Sequence, residues 1–213
     1  MKRITLLLAL WATIIGAKAQ QETGTWSITP RVGVCSSVLS VDDVQLDVNG
    51  TETMTTQEVK RKWGLTAGVE TQYQCWSQIG ISMGLMYSNE GFQFDEMGAG
   101  GEWKQSLHFL NVPVLVNFYL EPDMLPGLAL KAGVQLGYLL QGRGTMMGVT
   151  DTNTDSFHRV GVSIPAGVSY EYRNLVADLR YNIGLTNLND FKTLDETWRC
   201  NSLWLTLGYK FRM

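Results

Sequence analysis

The sequence predicts an all-β protein, an eight-stranded antiparallel up-and-down transmembrane β-barrel. Three observations lead to this fold class: a leader-like N-terminus, eight segments in which apolar and polar residues alternate, and connections that are alternately short and long. Alternation with a period of two places one set of side chains on each face of a strand. Short turns on one side of the membrane and long loops on the other are typical of outer-membrane barrels.

The N-terminus predicts export. Lys2 and Arg3 precede an apolar run at residues 4–15, which is followed by the small-residue site Ala17-Lys18-Ala19. This order is typical of a cleaved signal peptide. The run has about 12 residues, fewer than the ~20 that a spanning helix needs. We therefore predict a signal peptide over 1–19, cleaved before Gln20, and a barrel domain over 20–213.

Charge and composition exclude some classes of function. Without the leader, 14 basic residues remain against 20 acidic ones, so the chain has no basic footprint for nucleic acid. Charged residues make up 17% of the sequence, below the ~25% of soluble domains. This deficit indicates that much of the protein surface does not face water.

The alternation defines the strands and their order. The predicted strands are 26–35, 63–73, 79–87, 110–120, 128–138, 160–172, 175–185 and 202–213. Connections after the second, fourth and sixth strands are short, whereas those after the first, third, fifth and seventh are long, at about 36–62, 89–106, 141–157 and 187–198. This pattern places both chain ends of the barrel on the periplasmic side.

The two faces of the strands distinguish a membrane barrel from a soluble barrel of the lipocalin type, whose apolar face points inward. The polar face is rich in glycine rather than in Lys and Glu, which suits a crowded lumen better than bulk water. The apolar face carries aromatic residues near both strand ends, as in the girdles of membrane barrels. These residues are Trp26, Tyr73, Phe118, Tyr170, Tyr172, Tyr209 and Phe211 at one end, and Trp63, Tyr87 and Tyr138 at the other.

The chain resembles the small outer-membrane barrels of the Bacteroidetes porin family, or PorT-like group, and is similar in size to the OmpX class. The resemblance rests on the leader, the Gly-x-x-x-Gly spacings of the polar faces, the strand Leu110-Asn111-Val112-Pro113-Val114 and the terminal Tyr209-Lys210-Phe211. It implies location in the outer membrane, with lipids and the assembly machinery as partners. The chain departs from the usual assembly signal because Arg212 and Met213 follow the last aromatic residue. A PorT-like relationship would imply a role in secretion.

Five charged residues fall on the lumen side of the predicted strands: Arg31, Glu70, Lys131, Asp178 and Arg180. Isolated charges in a barrel interior would be costly, so we expect them to pair. Two interpretations remain open, a salt-bridged plug that fills the lumen and a path for protons or ions.

The three cysteines allow one disulfide and leave one thiol. If Trp26 lies opposite Tyr209 at barrel closure, Cys35 lies opposite Cys200, which would allow a bridge. Cys75, beside a predicted turn, would then be the spare thiol. The alternative is three unrelated small apolar residues.

The sequence offers little chemistry. His108 and His158 lie near Ser106 and Ser156, the minimum for an acyltransferase or lipase-like site at the rim. Both histidines fall in the outward phase, where residues of the membrane interface are expected. We therefore expect no enzyme activity, no metal site and no cofactor.

Two functional hypotheses remain besides the weak enzyme alternative. One is a structural or interaction protein that binds a partner through its extracellular loops. The other is a component of an envelope secretion or transport complex. The second long segment, with Phe92, Phe94 and Trp103, has aromatics suited to contact surfaces. The alternative is that the strands there simply continue beyond the bilayer.

Overall fold

The computed structural model describes residues 23–41, 59–97, 101–120, 126–146, 149–152, 154, 157–187 and 198–213. The predicted signal peptide lies outside the described residues. The strands are β1 (Trp26–Val41), β2 (Val59–Gln74), β3 (Ile79–Met97), β4 (Gly101–Tyr119), β5 (Leu128–Met146), β6 (Val149–Thr152), β7 (Val160–Tyr172), β8 (Leu175–Gly184), β9 (Trp198–Tyr209) and β10 (Phe211–Arg212). Within the described residues, no helix is long and apolar enough to cross a membrane.

The strands form one closed antiparallel barrel. Each of the long strands pairs with the next along the chain, β5 pairs with β7, and β1 pairs with both β9 and β10 to close the sheet. The short β6 folds back on the end of β5, and β10 continues the line of β9. Eight strands thus make up the wall, and the predicted fold class is confirmed.

The barrel has two distinct ends. At the turn end, short connections join β2 to β3, β4 to β5 and β7 to β8, the last through Arg173 and Asn174. Arg173 has a positive φ of 57°, as tight turns require. The opposite end, where β3, β4 and β5 extend furthest, is called the loop end.

Several strands are longer than the sequence pattern predicts. The segment 89–106, predicted as a loop, is largely strand, because β3 runs to Met97 and β4 begins at Gly101. Likewise β5 runs to Met146. The strands therefore continue through this segment, as the alternative interpretation expected. The side chain of Phe94 and the central part of the first loop, residues 42–58, lie outside the described residues.

The apolar face of the barrel points outward. Val32 and Leu207 expose 63% and 64% of their surface, whereas Glu70 and Asp178 in the lumen expose 2% each. Aromatic pairs mark the turn end, with ring centroids 5.0 Å apart for Trp26 and Tyr73 and 4.8 Å apart for Tyr209 and Phe211. This arrangement excludes the lipocalin type of barrel and fits a protein surrounded by lipid.

Several glycines allow neighbouring strands of the barrel wall to approach each other closely. A Cβ atom at Gly33 would collide with the backbone carbonyl of Leu205 on β9, and one at Gly133 would collide with that of Val114 on β4. Glycine at these positions lets neighbouring strands coil closely past each other. At other positions the lumen side chains set the limit, because a Cβ at Gly80 would meet the Gln72 amide and one at Gly137 the Asn111 amide.

The predicted register of barrel closure is wrong by four residues. Arg31 lies opposite Gly208, Cys35 opposite Trp204, and Cys200 opposite Leu39. The alternation of polar and apolar residues is preserved by any even shift, so it could not choose between these registers. The structure does not place Cys35 and Cys200 opposite each other, and Cys35, Cys75 and Cys200 are all free thiols.

Candidate functional site in the barrel lumen

The structure brings together all five of the predicted lumen charges. Glu70 accepts from Arg31 Nη2 at 3.0 Å, from Lys131 Nζ at 2.7 Å and from Arg180 Nη2 at 2.9 Å. Asp178 Oδ2 lies 3.0 Å from Lys131 Nζ, 3.3 Å from Arg180 Nη2 and 3.5 Å from Arg31 Nη1. These residues form the charge cluster, in which each carboxylate contacts the same three cations.

The strand register assembles this cluster. Glu70 on β2 lies opposite Thr29 on β1, one pleat from Arg31, while Asp178 and Arg180 follow each other on the lumen face of β8. Lys131 on β5 reaches across the barrel to both acids. Because the cluster joins β1, β2, β5 and β8, it ties together opposite sides of the wall and fills the lumen at its level.

A second ionic group, which the sequence reasoning missed, lies nearer the turn end. Lys210 Nζ donates to Glu171 Oε2 at 2.9 Å and to the Tyr119 hydroxyl at 3.3 Å. Arg212 also pairs with Glu171. Glu171 on β7 and Lys210, which directly follows β9, both fall in the lumen phase of the alternating pattern, and this is the signal that could have identified them.

Above the charge cluster, towards the loop end, the lumen contains an apolar layer. Cys35, Met86 and Trp204 pack together there and are at most 1% exposed. Trp204 follows the polar phase of the last predicted strand, and its ring fills the interior. This layer separates the charge cluster from the groups nearer the loop end.

Glu90 is the main lumen residue that the sequence reasoning missed. It continues the lumen face of β3 beyond Met86 and Ser88, but it lay within the segment predicted as a loop. Its carboxylate accepts from Ser88 Oγ at 2.8 Å and from Trp204 Nε1 at 3.2 Å, and Cys200 Sγ lies 3.7 Å away. The adjoining cavity, of about 50 Å³, is called the loop-side cavity and is lined by Glu90, Phe109, Asn111, Gln135, Gly137, Gly161, Val162, Ser163, Asn182, Gly184, Thr186, Cys200 and Ser202.

At the loop end, apolar side chains close the part of the lumen next to β1, β3, β4 and β5. This loop-end cluster consists of Leu39, Phe92, Leu107, Phe109, Leu139 and Phe157, with Trp103 and Cys200 packed against it. Phe92 and Trp103, which the sequence marked as contact aromatics, meet edge to face at 5.9 Å. Phe92 is fully buried, so it contributes to this closure rather than to an external surface.

Of the two histidines in the weak enzyme alternative, the structure places His108 against a tyrosine rather than against a serine. His108 Nδ1 lies 2.6 Å from the Tyr87 hydroxyl, and the two rings stack at 6.0 Å on the outer face. Ser156 lies outside the described residues. In the described segments, no three His, Cys, Asp or Glu side chains meet in an arrangement that could hold a metal ion.

Comparison with protein families identifies the barrel. Residues 18–190 match the family model described as outer membrane protein beta-barrel domain. The chain belongs to this family. Its fold and its lipid-facing outer surface accordingly place it in the outer membrane. No curated protein sequence is similar enough to count as a relative.

Solved structures with a similar backbone fold include outer-membrane barrels from several bacteria. The Ail protein of Yersinia pestis is 16% identical, with 89% of this chain and 100% of that chain covered and a TM-score of 0.47. Neisserial surface protein A gives 12% identity, 87% and 97% coverage and a TM-score of 0.49. OprG of Pseudomonas aeruginosa gives 16% identity, 90% and 98% coverage and a TM-score of 0.44. The eight-stranded architecture of the present chain rests on its own strand pairing.

Proposed function

We propose that this protein is an outer-membrane barrel with a side-chain-filled lumen, and that it acts as a structural or interaction protein through its loop end. The observation that carries the proposal is the filled lumen. Transport of a solute would require a continuous path, and the charge cluster, the apolar layer and the loop-end cluster occupy successive levels of the interior. A closed barrel of eight strands is only wide enough for its own side chains.

The free energy needed to open a path through the charge cluster supports this proposal. Glu70 and Asp178 each contact three cations within 3.5 Å. Breaking a buried ion pair typically costs about 3–5 kcal/mol, and opening a path here would break several such pairs together. The cluster is therefore a structural plug, and the alternative of an ion path finds no open channel within the described residues.

The uneven height of the wall supports a role for the loop end. β3, β4 and β5 have 19 residues each, whereas β8 has 10. A strand needs about 9–11 residues to cross a bilayer, so β8 spans little more than the membrane while the other three project beyond it. With β6 folded back on β5, this projecting sheet offers a rigid surface for a partner.

Conductance measurements test the filled lumen. Purified protein inserted into planar bilayers is expected to give no steady, large conductance, because the charge cluster and the apolar layer fill the lumen below the loop-side cavity. A well-defined open pore in the wild-type protein would contradict the proposal.

Crosslinking tests the interaction role. A photo-crosslinking amino acid in place of Thr150, exposed on β6, is expected to capture a protein partner in native outer membranes. The matched control replaces Ser77 in the turn between β2 and β3. Capture of one envelope complex from both positions would instead favour the second hypothesis, a component of a secretion or transport complex. Absence of a specific adduct at Thr150 would contradict a role for this surface.

A further inference from the structure

The loop-side cavity differs from the charge cluster because, among the described residues, no cation forms a salt bridge with its carboxylate. Glu90 is 6% exposed, and no ion pair to its carboxylate exists within the described residues. The neighbouring Lys62 donates instead to Asn89 Oδ1 at 2.8 Å and to the backbone carbonyl of Glu90 at 3.2 Å. A buried carboxylate normally pairs with a cation, so this one requires an explanation.

The hydrogen bonds around Glu90 are all oriented towards it. Gln135 Nε2 donates to Asn111 Oδ1 at 3.3 Å, Asn111 Nδ2 donates to Ser88 Oγ at 2.9 Å, and Ser88 donates to Glu90. On the opposite side of the cavity, Asn182 Nδ2 donates to Ser202 Oγ at 3.1 Å, which places the Ser202 hydroxyl beside the Glu90 carboxylate. An ionised carboxylate only accepts hydrogen bonds, so these donors leave Glu90 able to carry the negative charge that a bound cation would balance.

This arrangement leaves two oxygen atoms without partners. Gln135 Oε1 and Asn182 Oδ1 are buried and accept no hydrogen bond, and their side chains are only 4% and 2% exposed. Both residues line the loop-side cavity together with Glu90. The cavity thus combines one negative charge with two unpaired amide oxygens, which is a donor set for a hard cation.

We propose that the loop-side cavity binds one alkali-metal cation through Glu90, Gln135 and Asn182. A single carboxylate balances a single positive charge, whereas calcium sites gather 6–8 oxygen ligands, commonly including several carboxylates. The cavity volume of about 50 Å³ exceeds the ~10–15 Å³ that one water requires. An ion with one or two waters therefore fits.

The position of the cavity gives an ion access. Gly161 at the start of β7 and Gly184 at the end of β8 line it, which places it beside the rim on the low side of the wall. The apolar layer of Cys35, Met86 and Trp204 separates it from the charge cluster. The cation would therefore occupy a closed-ended site at the loop end and would not pass through the barrel.

Rubidium, which replaces potassium and scatters X-rays anomalously, tests the site directly. Crystals of the whole barrel grown in rubidium chloride are expected to show an anomalous peak between Glu90, Gln135 and Asn182. The Glu90→Gln variant, which keeps the shape of the side chain and removes its charge, is expected to lose the peak. Ordinary water density without anomalous signal, or a peak that persists in the variant, would overturn the proposal.

Stability measurements in detergent micelles provide a second test. At constant ionic strength, replacing choline chloride by rubidium chloride is expected to raise the thermal unfolding midpoint of the wild-type protein. Gln135→Met, which removes one amide oxygen, is expected to weaken rubidium binding roughly tenfold. Gln72→Met, at a lumen amide outside the cavity, is the matched control and should bind as the wild type does. Equal stabilisation by choline and rubidium, or equal loss in both variants, would overturn the proposal.

Discussion

Among the residues of the charge cluster, the two acids Glu70 and Asp178 stabilise the barrel interior more than any of the three basic residues does. Each carboxylate contacts Arg31, Lys131 and Arg180, so each acid is shared by three partners. Removing one acid leaves three buried cations around a single negative charge. The energetic importance of these two positions follows from this stoichiometry of three cations to two anions.

Replacing Glu70 by alanine is expected to lower the free energy of unfolding by about 3–5 kcal/mol, because it leaves buried cations uncompensated. Urea unfolding followed by tryptophan fluorescence in micelles measures this loss. Asp151→Ala, at an exposed carboxylate on β6, is the control and should cost less than about 1 kcal/mol. Equal effects at both positions would show that the cluster does not stabilise the fold.

The free cysteines give a prediction on thiol labelling. Cys75 at the turn end is half-buried, whereas Cys35 is fully buried and bonded to the carbonyl of Asn89 at 3.3 Å. In the folded, unreduced protein, Cys75 is therefore expected to react first with a maleimide. After unfolding without reductant, all three cysteines should react. Labelling of only one cysteine after unfolding would instead show that Cys35 and Cys200 are bridged.

For whole strands, the sequence predicted the faces well and the lengths less well. The phase of every strand was correct because lipid selects apolar side chains at every second position. Above the bilayer this selection ends, so Glu90 and Phe92 were assigned to a loop although β3 continues through both. The register of closure, which joins β1 to β9, depends on turns and backbone packing along the whole chain. No local pattern reports it, and the error of four residues arose there.

The close approach of strands at glycine makes substitution of Gly33 a test of the wall. Gly33→Ala is expected to lower the free energy of unfolding by about 1–3 kcal/mol, because the new Cβ meets the Leu205 carbonyl and the strands must move. Gly84→Ala is the control, since its Cβ would have its nearest contact, the Val69 carbonyl, at 3.1 Å. Denaturant unfolding of both variants compares them. A loss at Gly84 as large as that at Gly33 would contradict the explanation.

At the scale of the whole molecule, the closed sheet and the ion-paired charge cluster make the barrel resistant to unfolding by detergent. All neighbouring strands of the wall are paired, including the seam between β1, β9 and β10, so the wall has no open edge along this seam where unfolding could begin. The outward apolar face meanwhile demands a lipid or detergent environment.

Unheated protein is therefore expected to migrate differently from heated protein in gels containing dodecyl sulfate, because the barrel stays folded until it is heated. Outer-membrane fractions supply the material. Identical mobility before and after heating would contradict a detergent-resistant barrel.

In the same preparation, N-terminal sequencing tests the predicted signal peptide. The sequence is expected to begin at Gln20, and a sequence that begins at Met1 would exclude cleavage.

The unequal numbers in the charge cluster also have an evolutionary consequence. Loss of one of the cations at Arg31, Lys131 or Arg180 leaves two cations for two acids, a balanced set, whereas loss of Glu70 or Asp178 leaves three cations for one acid. Neutral drift should therefore tolerate replacement at one of the basic positions while the acidic pair persists. Among descendants of this chain, a change at either acid should appear only together with loss of at least one basic partner.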